Sequence, residues 1–381
     1  MARWPQRPIH VTIALAIALV TALTTLLEPL DTAIWTAQSN LAQRSASGDI
    51  VVVDLPAGLP EQGGRSGAAE RLVGLIDQIE AAGADRIFLD LPLEAPGYDP
   101  DGLIASAAPN VFFVKPMRDY TDGQPEDTAP ISSSDSAHIL ARVLYLDFVG
   151  MVWDVPTSAP ISRGRELREF SAVLSGRKDL PERTWIDYTI QTDTIPVISA
   201  GTDLRIAADP QADLRGRDVV ITNGFAEKAL WIKVPGRDPV APTLISVLAA
   251  ETLKHGGVIY VVWVFPLLGI ALLLFMASLI RQDRIRQGAY GLIVVGLSGS
   301  IIASAHIPAL VERHGALALL ASYALLRMVD RYKQRHLLVD RKSGLPNFAA
   351  LERDLATDHD GLIVVMQVTN CLLYTSDAAD E

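Results

Sequence analysis

Acidic side chains follow two predicted strands in the long middle segment of the chain. Asp54 ends the apolar run "IVVVD", Asp90 lies in "RIFLDL", and Glu94 and Asp99 come within the next ten residues. The C-terminal ends of parallel strands are where α/β sheets place their ligands, and carboxylates there can bind a small molecule. The sequence therefore predicts a ligand-binding site at Asp54, Asp90, Glu94 and Asp99.

The same acids also have a purely structural interpretation. Asp90 can cap the end of a strand, and Asp99 and Asp101 can begin the next helix, because Asp is a favoured N-cap residue. The chain has no Ser/His/Asp order, HExxH motif or glycine-rich phosphate loop, and its histidines are too scattered to suggest a metal site. We therefore expect a binding domain with no catalytic residue, no metal and no cofactor of its own.

The elements that must position these acids alternate between strand and helix. The helical spacing of Leu72, Leu75 and Ile79 predicts a helix that Gly83 ends, and "RIFLDL" and "NVFFV" predict the second and third strands. This alternation predicts a parallel sheet covered on both faces. Later stretches add "RTWIDYTIQTDTIPVIS" as one or two partly exposed strands, "DVVIT" as a strand, and "APTLISVLAAETLKHGG" as an amphipathic helix.

The composition predicts a membrane protein. Apolar residues make up 49% of the chain and the mean hydropathy is +0.25, which is high for a soluble domain. Stretches of about 20 apolar residues can cross a bilayer as helices. We predict such helices at 11–30, 258–280, 288–307 and 311–329, with an extracytoplasmic α/β domain at 31–257. A cleaved signal peptide at the N-terminus is the alternative for the first span, but no clean A-x-A site follows it.

Basic residues set the predicted orientation, because Lys and Arg concentrate on the cytoplasmic side of membrane proteins. They precede span one, within the cytoplasmic N-terminus at 1–10, and they follow spans two and four. The loop "PALVERHG" between spans three and four is then outside. These clusters are explained by topology, and the net charge of −11 gives no support for nucleic-acid binding. The expected location is the bacterial inner membrane, with several spans and a periplasmic domain.

The order of motifs resembles a known sensor family. The strings "DIVVVDL", "AERLVGLIDQIEAAGADRIFLDLPLEAP", "WIDYTI", "LRGRDVVITNG" and "APTLISVLAAETLKHG" precede three closely spaced spans. Together they resemble the second type of CHASE domain, an extracytoplasmic bacterial sensor module. This resemblance implies a small extracytoplasmic ligand of unknown identity. We also expect a homodimer in the lipid bilayer.

Residues 336–370 resemble the beginning of a GGDEF domain, the module that makes cyclic di-GMP. The resemblance rests on "DRKSGLPN", and its motif residues are Asp340, Gly344, Leu345, Pro346 and Asn347. In active members the first strand carries an Asp that binds the divalent metal on the GTP phosphates, whereas this chain has Gln367 there. A neutral Gln is a poor ligand for magnesium, so the resemblance implies an inactive GGDEF copy. Magnesium is expected only in an output domain that is not part of this sequence.

These resemblances imply a receptor that regulates cyclic di-GMP, in which an inactive GGDEF copy is commonly followed by an EAL phosphodiesterase. An active diguanylate cyclase is the alternative if Gln367 is misaligned. A second alternative function is the sensor module of a histidine kinase or adenylate cyclase. A structural or transport protein is disfavoured, because the predicted spans carry no acid except near their ends.

The last residues, "CLLYTSDAADE" at 371–381, differ in character from what precedes them. They resemble the translation of a common transposase-based sequencing adapter. We therefore expect these residues to be non-native and the single cysteine, Cys371, to have no role.

Overall fold

The computed structural model describes residues 6–24, 26–56, 64–92, 102–104, 107–117, 138–147, 150–161, 165–201, 214–225, 228–336, 347 and 350. The helices are α1 (Gln6–Leu23), α2 (Glu28–Leu41), α3 (Gly64–Ala81), α4 (Phe170–Leu174), α5 (Pro242–Lys254), α6 (Val264–Leu279), α7 (Asp283–His306) and α8 (His314–His336), with short 3-10 helices at Thr192–Thr194 and Lys228–Leu230. The strands are β1 (Ile50–Asp54), β2 (Arg86–Asp90), β3 (Val111–Pro116), β4 (Ile139–Arg142), β5 (Asp154–Pro156), β6 (Ser158–Ile161), β7 (Arg165–Arg168), β8 (Arg183–Trp185), β9 (Val197–Ser199), β10 (Asp218–Thr222), β11 (Ile232–Val234), β12 (Arg237–Val240), β13 (Ile259–Val261) and β14 (Ala309–Val311).

A parallel sheet forms the centre of the α/β domain. Its strand order is β4-β3-β2-β10-β1-β9, and every neighbouring pair is parallel. β10 lies between β1 and β2, so the connection through α3 passes over a strand that comes much later in the chain. The predicted α/β class and parallel sheet are confirmed.

The two faces of the sheet bury alternate residues of each strand. On one face Val51, Val53 and Ile87 pack against Leu72 and Leu75 of α3. The opposite face carries residues such as Val52, Phe88 and Val220, and it packs against α4 and α5. Strands buried on both sides read as continuous apolar runs, which is why "IVVVD" and "DVVIT" were recognisable in the sequence.

The later strands differ in part from the prediction. "RTWIDYTIQTDTIPVIS" contains β8, which pairs antiparallel with β5 outside the main sheet, and β9, which extends the main sheet beside β1. β6 and β7, and β11 and β12, form separate antiparallel pairs. The one or two strands expected in that stretch are therefore present, whereas β6, β7, β11 and β12 were not predicted, because each has only three or four residues, too few for a period to be detected.

Helix α5 differs from the amphipathic helix that the sequence predicts. Every residue from Thr243 to Leu253 is buried, so the helix has no solvent face and the prediction is wrong. The helix also does not run directly into the following apolar segment. Gly256 and Gly257 adopt positive φ angles of 103° and 83°, which glycine tolerates, and they end the helix before β13 begins.

The remaining helices pack into a bundle next to the domain. α1 lies along α8 and α6, and α6 lies along α7. Their shared interior is apolar and includes Ala14, Leu267, Ile293, Leu319 and Tyr323. The outside of the bundle is also apolar, because large side chains such as Leu292, Val295 and Phe265 are exposed. A surface of this kind is typical of a membrane or protein contact.

By length and composition, fewer helices qualify as membrane spans than the sequence predicts. Within the described part of the chain, α7 alone is long and apolar enough, with 24 residues and a mean hydropathy of 1.6. The predicted span 11–30 crosses the break between α1 and α2, which meet at about 80° and would together make a second candidate. α6 is apolar but has 16 residues. The predicted fourth span, 311–329, begins at the last residue of β14, and α8 begins at His314.

Candidate functional site

The C-terminal edge of the sheet brings three polar residues into one row. Asp54, Thr222 and Asp90 end β1, β10 and β2, and Thr222 pairs in register with Asp54 on one side and Asp90 on the other. Adjacent strands lie about 4.8 Å apart, so the two predicted acids are separated by about 10 Å along the edge. The parallel sheet therefore places Asp54 and Asp90 at one edge, as predicted, but with a threonine between them.

Asp90 is fully engaged within the protein. It is buried and forms an ion pair with Arg142 at the end of β4, and it accepts a hydrogen bond of 2.5 Å from Thr243 Oγ1 in the first turn of α5. The Oγ1 atoms of Thr243 and Thr222 lie 2.9 Å apart, and Gly224 N donates to Thr222 Oγ1 at 3.0 Å. Asp90 thus ties β2 to β4 and α5, and a ligand would have to break these bonds to reach it.

Asp54, in contrast to Asp90, has a carboxyl oxygen without a hydrogen-bond partner among the residues that the structure describes. This oxygen, Oδ1, is buried. Burial raises the pKa of the Asp54 carboxyl above its ordinary value. A buried polar atom without a partner is costly, and a cationic or hydrogen-bond-donating ligand would remove that cost. Asp54 is therefore the acid of this pair that is available for binding.

The other predicted site residues lie mostly outside the described part of the chain. This holds for Glu94, Asp99 and Asp101, and for the motif positions Asp340, Gly344, Leu345, Pro346 and Gln367. Asn347 is described, and its Oδ1 accepts a hydrogen bond of 3.1 Å from Ala350 N. An Asn that accepts from the amide three residues later has the arrangement of a helix N-cap.

Glu169 lies near the same edge and was not predicted. Its Oε2 atom accepts from the amides of Ser171 and Ala172 at 2.7 and 3.2 Å and so caps α4. Burial raises the pKa of the Glu169 carboxyl to about 8, although these bonds and the nearby Arg142 act in the opposite direction. Its other oxygen, Oε1, is buried without a partner among the described residues. Burial thus favours the protonated form of Glu169 in the folded protein.

Arg142, Thr243 and Glu169 could not be found from the sequence. Each comes from a segment that is distant in the chain from Asp90, and only the pairing of β4 with β3 and the packing of α5 bring them together. No group of three or more His, Cys, Asp or Glu side chains that could hold a metal occurs among the described residues. At this edge, the buried Oδ1 of Asp54 remains without a hydrogen-bond partner among the described residues.

A second polar assembly joins the α/β domain to the bundle. The strand β13 follows the domain and pairs in parallel with β14, which connects α7 to α8. Tyr260 of β13 stacks on Trp185 of the domain, with ring centroids 3.9 Å apart. Glu312, just after β14, accepts hydrogen bonds from the Tyr260 hydroxyl and from Trp263 N at the start of α6. We call this assembly the junction; it includes α2, β13, β14 and the start of α8.

Helix α2 contributes the remaining bonds of the junction. Asp31 accepts from the amides of Arg313 and His314 at 2.7 and 3.1 Å and from the His314 ring at 2.5 Å. Trp35 donates from Nε1 to Val311 O at 3.2 Å and packs edge-on against Trp153 of the domain. α2 therefore contacts the domain with one part of its surface and the bundle with another.

Two further side chains cross the same boundary. Arg44 pairs with Asp187 of the domain at 3.3 Å and donates to His306 O at the end of α7 at 2.7 Å. Gln38 donates to Ser304 Oγ at 2.5 Å and to Ile301 O at 3.2 Å. The domain and the end of α7 are thus joined by hydrogen bonds as well as by apolar packing.

Comparison of the chain with family models, with curated proteins and with solved structures gives no match.

The raised pKa of Glu169 predicts how stability depends on pH. In the unfolded chain this carboxyl ionises near its ordinary value of 4.5, whereas in the folded protein it keeps its proton up to about 8. Between these values the folded state binds more protons, so stability falls as pH rises, on the order of 1 kcal/mol per pH unit. Glu169→Gln should remove this fall, as measured by thermal unfolding of the full chain in detergent between pH 5 and pH 9.

The exposed Glu182 provides the matched control for this measurement. Glu182→Gln should leave the wild-type pH dependence unchanged. An equal pH dependence in Glu169→Gln and wild type would show that Glu169 does not hold its proton in the folded state.

Asp54→Asn should stabilise the protein at neutral pH in the absence of ligand. The folded-state pKa of Asp54 is raised by burial, so its ionised form destabilises the folded state at pH values above its ordinary pKa, and the amide carries no charge. The gain in melting temperature should shrink as pH falls toward the ordinary pKa. Asp77→Asn, at an exposed position of α3, is the control and should change little. A lower melting temperature for Asp54→Asn at pH 7 would mean that the carboxylate has a stabilising partner.

Proposed function

We propose that the chain is the sensory part of a membrane receptor, in which the α/β domain binds a small ligand outside the cell membrane. The observation that carries this proposal is the junction. A domain that only had to be tethered would need one flexible linker. Here Asp31, Trp35, Gln38 and Arg44 form four separate hydrogen-bonded contacts with the end of α7, the end of β14 and the start of α8. Such contacts can transmit a change in the domain to the helices.

A contiguous set of contacts runs from the candidate ligand edge to the bundle. Thr243 bonds Asp90 at the N-terminal end of α5. Near its other end, Thr252 Oγ1 accepts from Asp187 N at 2.9 Å, and Asp187 pairs with Arg44, which reaches His306 O. Physical contiguity supports coupling, and a ligand would act by binding two arrangements of these contacts with different affinity.

The proposed receptor crosses the bacterial inner membrane with α1, α6, α7 and α8. Among the described helices, α7 alone is both long and apolar enough to span a membrane by itself, so the proposal goes beyond that finding. It is supported by the exposed apolar side chains on all four helices and by the basic residues at one end of the bundle. The broken entry from α1 into α2 and the strands β13 and β14 would then lie at the outer boundary, where protein contacts satisfy their backbone groups.

The proposed output is control of cyclic di-GMP. It is supported by the resemblance of residues 336–370 to the start of a GGDEF domain. With Gln367 at the metal position, the receptor would degrade the nucleotide through an EAL domain rather than make it. The receptor is proposed to function as a homodimer. Ser300 and Ser304 of α7 already bond Arg313 within the chain.

The proposed topology places Ser45 on the periplasmic side of the membrane and Gln287 on the cytoplasmic side. Both side chains are exposed. In a Cys371→Ser background, Ser45→Cys should react with a membrane-impermeant maleimide on intact spheroplasts, and Gln287→Cys should react only after permeabilisation. Labelling of both cysteines from the outside would contradict the topology, and recovery of the chain in the soluble fraction would contradict the membrane location.

Cells that produce the receptor with its complete output domain should contain less cyclic di-GMP than cells with an empty vector. Arg44→Ala breaks the contacts with Asp187 and His306 and should shift the nucleotide level away from wild type, while Lys178→Ala, at an exposed position of the domain, should not. The measurement is nucleotide content by mass spectrometry. If cells with the wild-type receptor contained as much cyclic di-GMP as cells with the empty vector, the proposed output would be overturned. Equal cyclic di-GMP levels for wild type and Arg44→Ala would overturn coupling through the junction.

A further inference from the structure

A large groove opens on the surface of the bundle between α6, α7 and α8. Its volume is about 810 Å³, within the range of pockets that bind small molecules. Apolar side chains line most of its length, among them Leu274, Val294 and Leu320. Val294 is 53% exposed, so the groove is open toward the surroundings of the bundle. An elongated apolar molecule would fit this part of the groove.

One end of the groove is basic. Arg327 and Arg331 line it from α8, four residues apart and therefore on one face of the helix. Tyr323 lies one turn earlier, and its hydroxyl is 2.5 Å from that of Tyr290 near the start of α7. The arginines are thus level with the first turns of α7. Asp330 lies 4.0 Å from Arg327 and balances part of this charge.

We propose that this groove binds one anionic phospholipid, with an acyl chain along the apolar part and the phosphate at Arg327 and Arg331. The proposal rests on the membrane location proposed above. Arginine suits a phosphate because its planar guanidinium can form two parallel hydrogen bonds. Basic pockets between membrane helices on the cytoplasmic side are suited to anionic headgroups, and the topology proposed above puts this end of α8 on that side.

A second copy of the chain is a poorer occupant of the groove. Two-fold symmetry about an axis along the membrane normal would put Arg327 and Arg331 of both copies at the same depth and face to face. Like charges brought together in an interface are costly, and a lipid phosphate reverses that effect. The groove is therefore assigned to lipid, and a dimer interface would have to use another face of the bundle.

The test measures lipid-dependent stabilisation of the full chain. Purified protein in a neutral detergent is titrated with phosphatidylglycerol or with phosphatidylcholine, and the melting temperature is recorded, because a ligand that binds the folded state raises it. Phosphatidylglycerol should raise the melting temperature of wild type more than phosphatidylcholine does. Arg327→Gln/Arg331→Gln should bind phosphatidylglycerol roughly tenfold to thirtyfold more weakly.

Two further variants separate the groove from general charge and from folding defects. Arg281→Gln/Arg284→Gln removes the same charge at exposed positions near the same end and should respond like wild type. Ala324→Leu narrows the apolar part of the groove, where Ala324 is exposed, and should also weaken the response. Soluble glycerol phosphate should have no effect, because the acyl chain supplies part of the affinity.

Each outcome decides the proposal. Equal responses to the two lipids, or an equal response of Arg327→Gln/Arg331→Gln and wild type, would overturn the lipid site. Stabilisation by glycerol phosphate alone would reduce it to an anion site. Failure of the chain to associate with lipid vesicles of either composition would instead contradict the proposed membrane location, which distinguishes it from failure of the groove.

Discussion

The contact between the α/β domain and the bundle depends on the buried carboxylate of Asp31. It is 0% exposed and accepts hydrogen bonds from two backbone amides and from the ring of His314. The amides of Arg313 and His314 belong to the start of α8, where helices leave N–H groups without partners and favour negative charge. Asp31 therefore acts as a helix cap supplied by a different helix. An uncompensated charge would be costly in this place, so the position of α2 fixes the position of α8.

Arg313 bonds the C-terminal part of α7 in a similar way. It is almost fully buried, and its guanidinium donates to Ser300 O, Ser304 Oγ and Val311 O at 3.1, 2.8 and 3.0 Å. Of these acceptors, Ser300 O and Ser304 Oγ belong to the last two turns of α7, so Arg313 ties the start of α8 to this end of α7. Asp31 of α2 bonds the same start of α8, and Gln38 of α2 bonds the same end of α7. Movement of one of these three helices would leave buried polar groups of the others unpaired, which favours discrete arrangements over gradual deformation.

The sequence predicts the central part of the fold well and the junction poorly, for physical reasons. The sequence predicts β1, β2 and β10 because strands buried on two faces are continuously apolar. It predicts α3 because its apolar residues recur at helical spacing and because Gly83, with a φ of 87°, ends the helix. β13 and β14 are three residues long and exist because they pair with each other, although the paired residues are 50 positions apart in the chain. Asp31 reads as an ordinary acid after an apolar segment, and only the position of α8 gives it a role. The sequence located Asp54 and Asp90 at the sheet edge. It could not show that, among the described residues, Asp90 is paired and Asp54 is not, because the partners Arg142 and Thr243 are brought to Asp90 only by the fold.

The complete burial of α5 constrains how any signal could pass through the domain. A helix with one exposed face can tilt into solvent, but the residues from Thr243 to Leu253 are enclosed on all sides, and close-packed interiors resist such movement. With 13 residues the helix is about 20 Å long, and its two ends bond Asp90 and the amide of Asp187. A shift of Asp90 at the sheet edge would therefore move α5 as a rigid body and strain the bond at Asp187. Because Asp54 is separated from Asp90 by Thr222, a ligand held by Asp54 would reach α5 through Thr222 and Thr243.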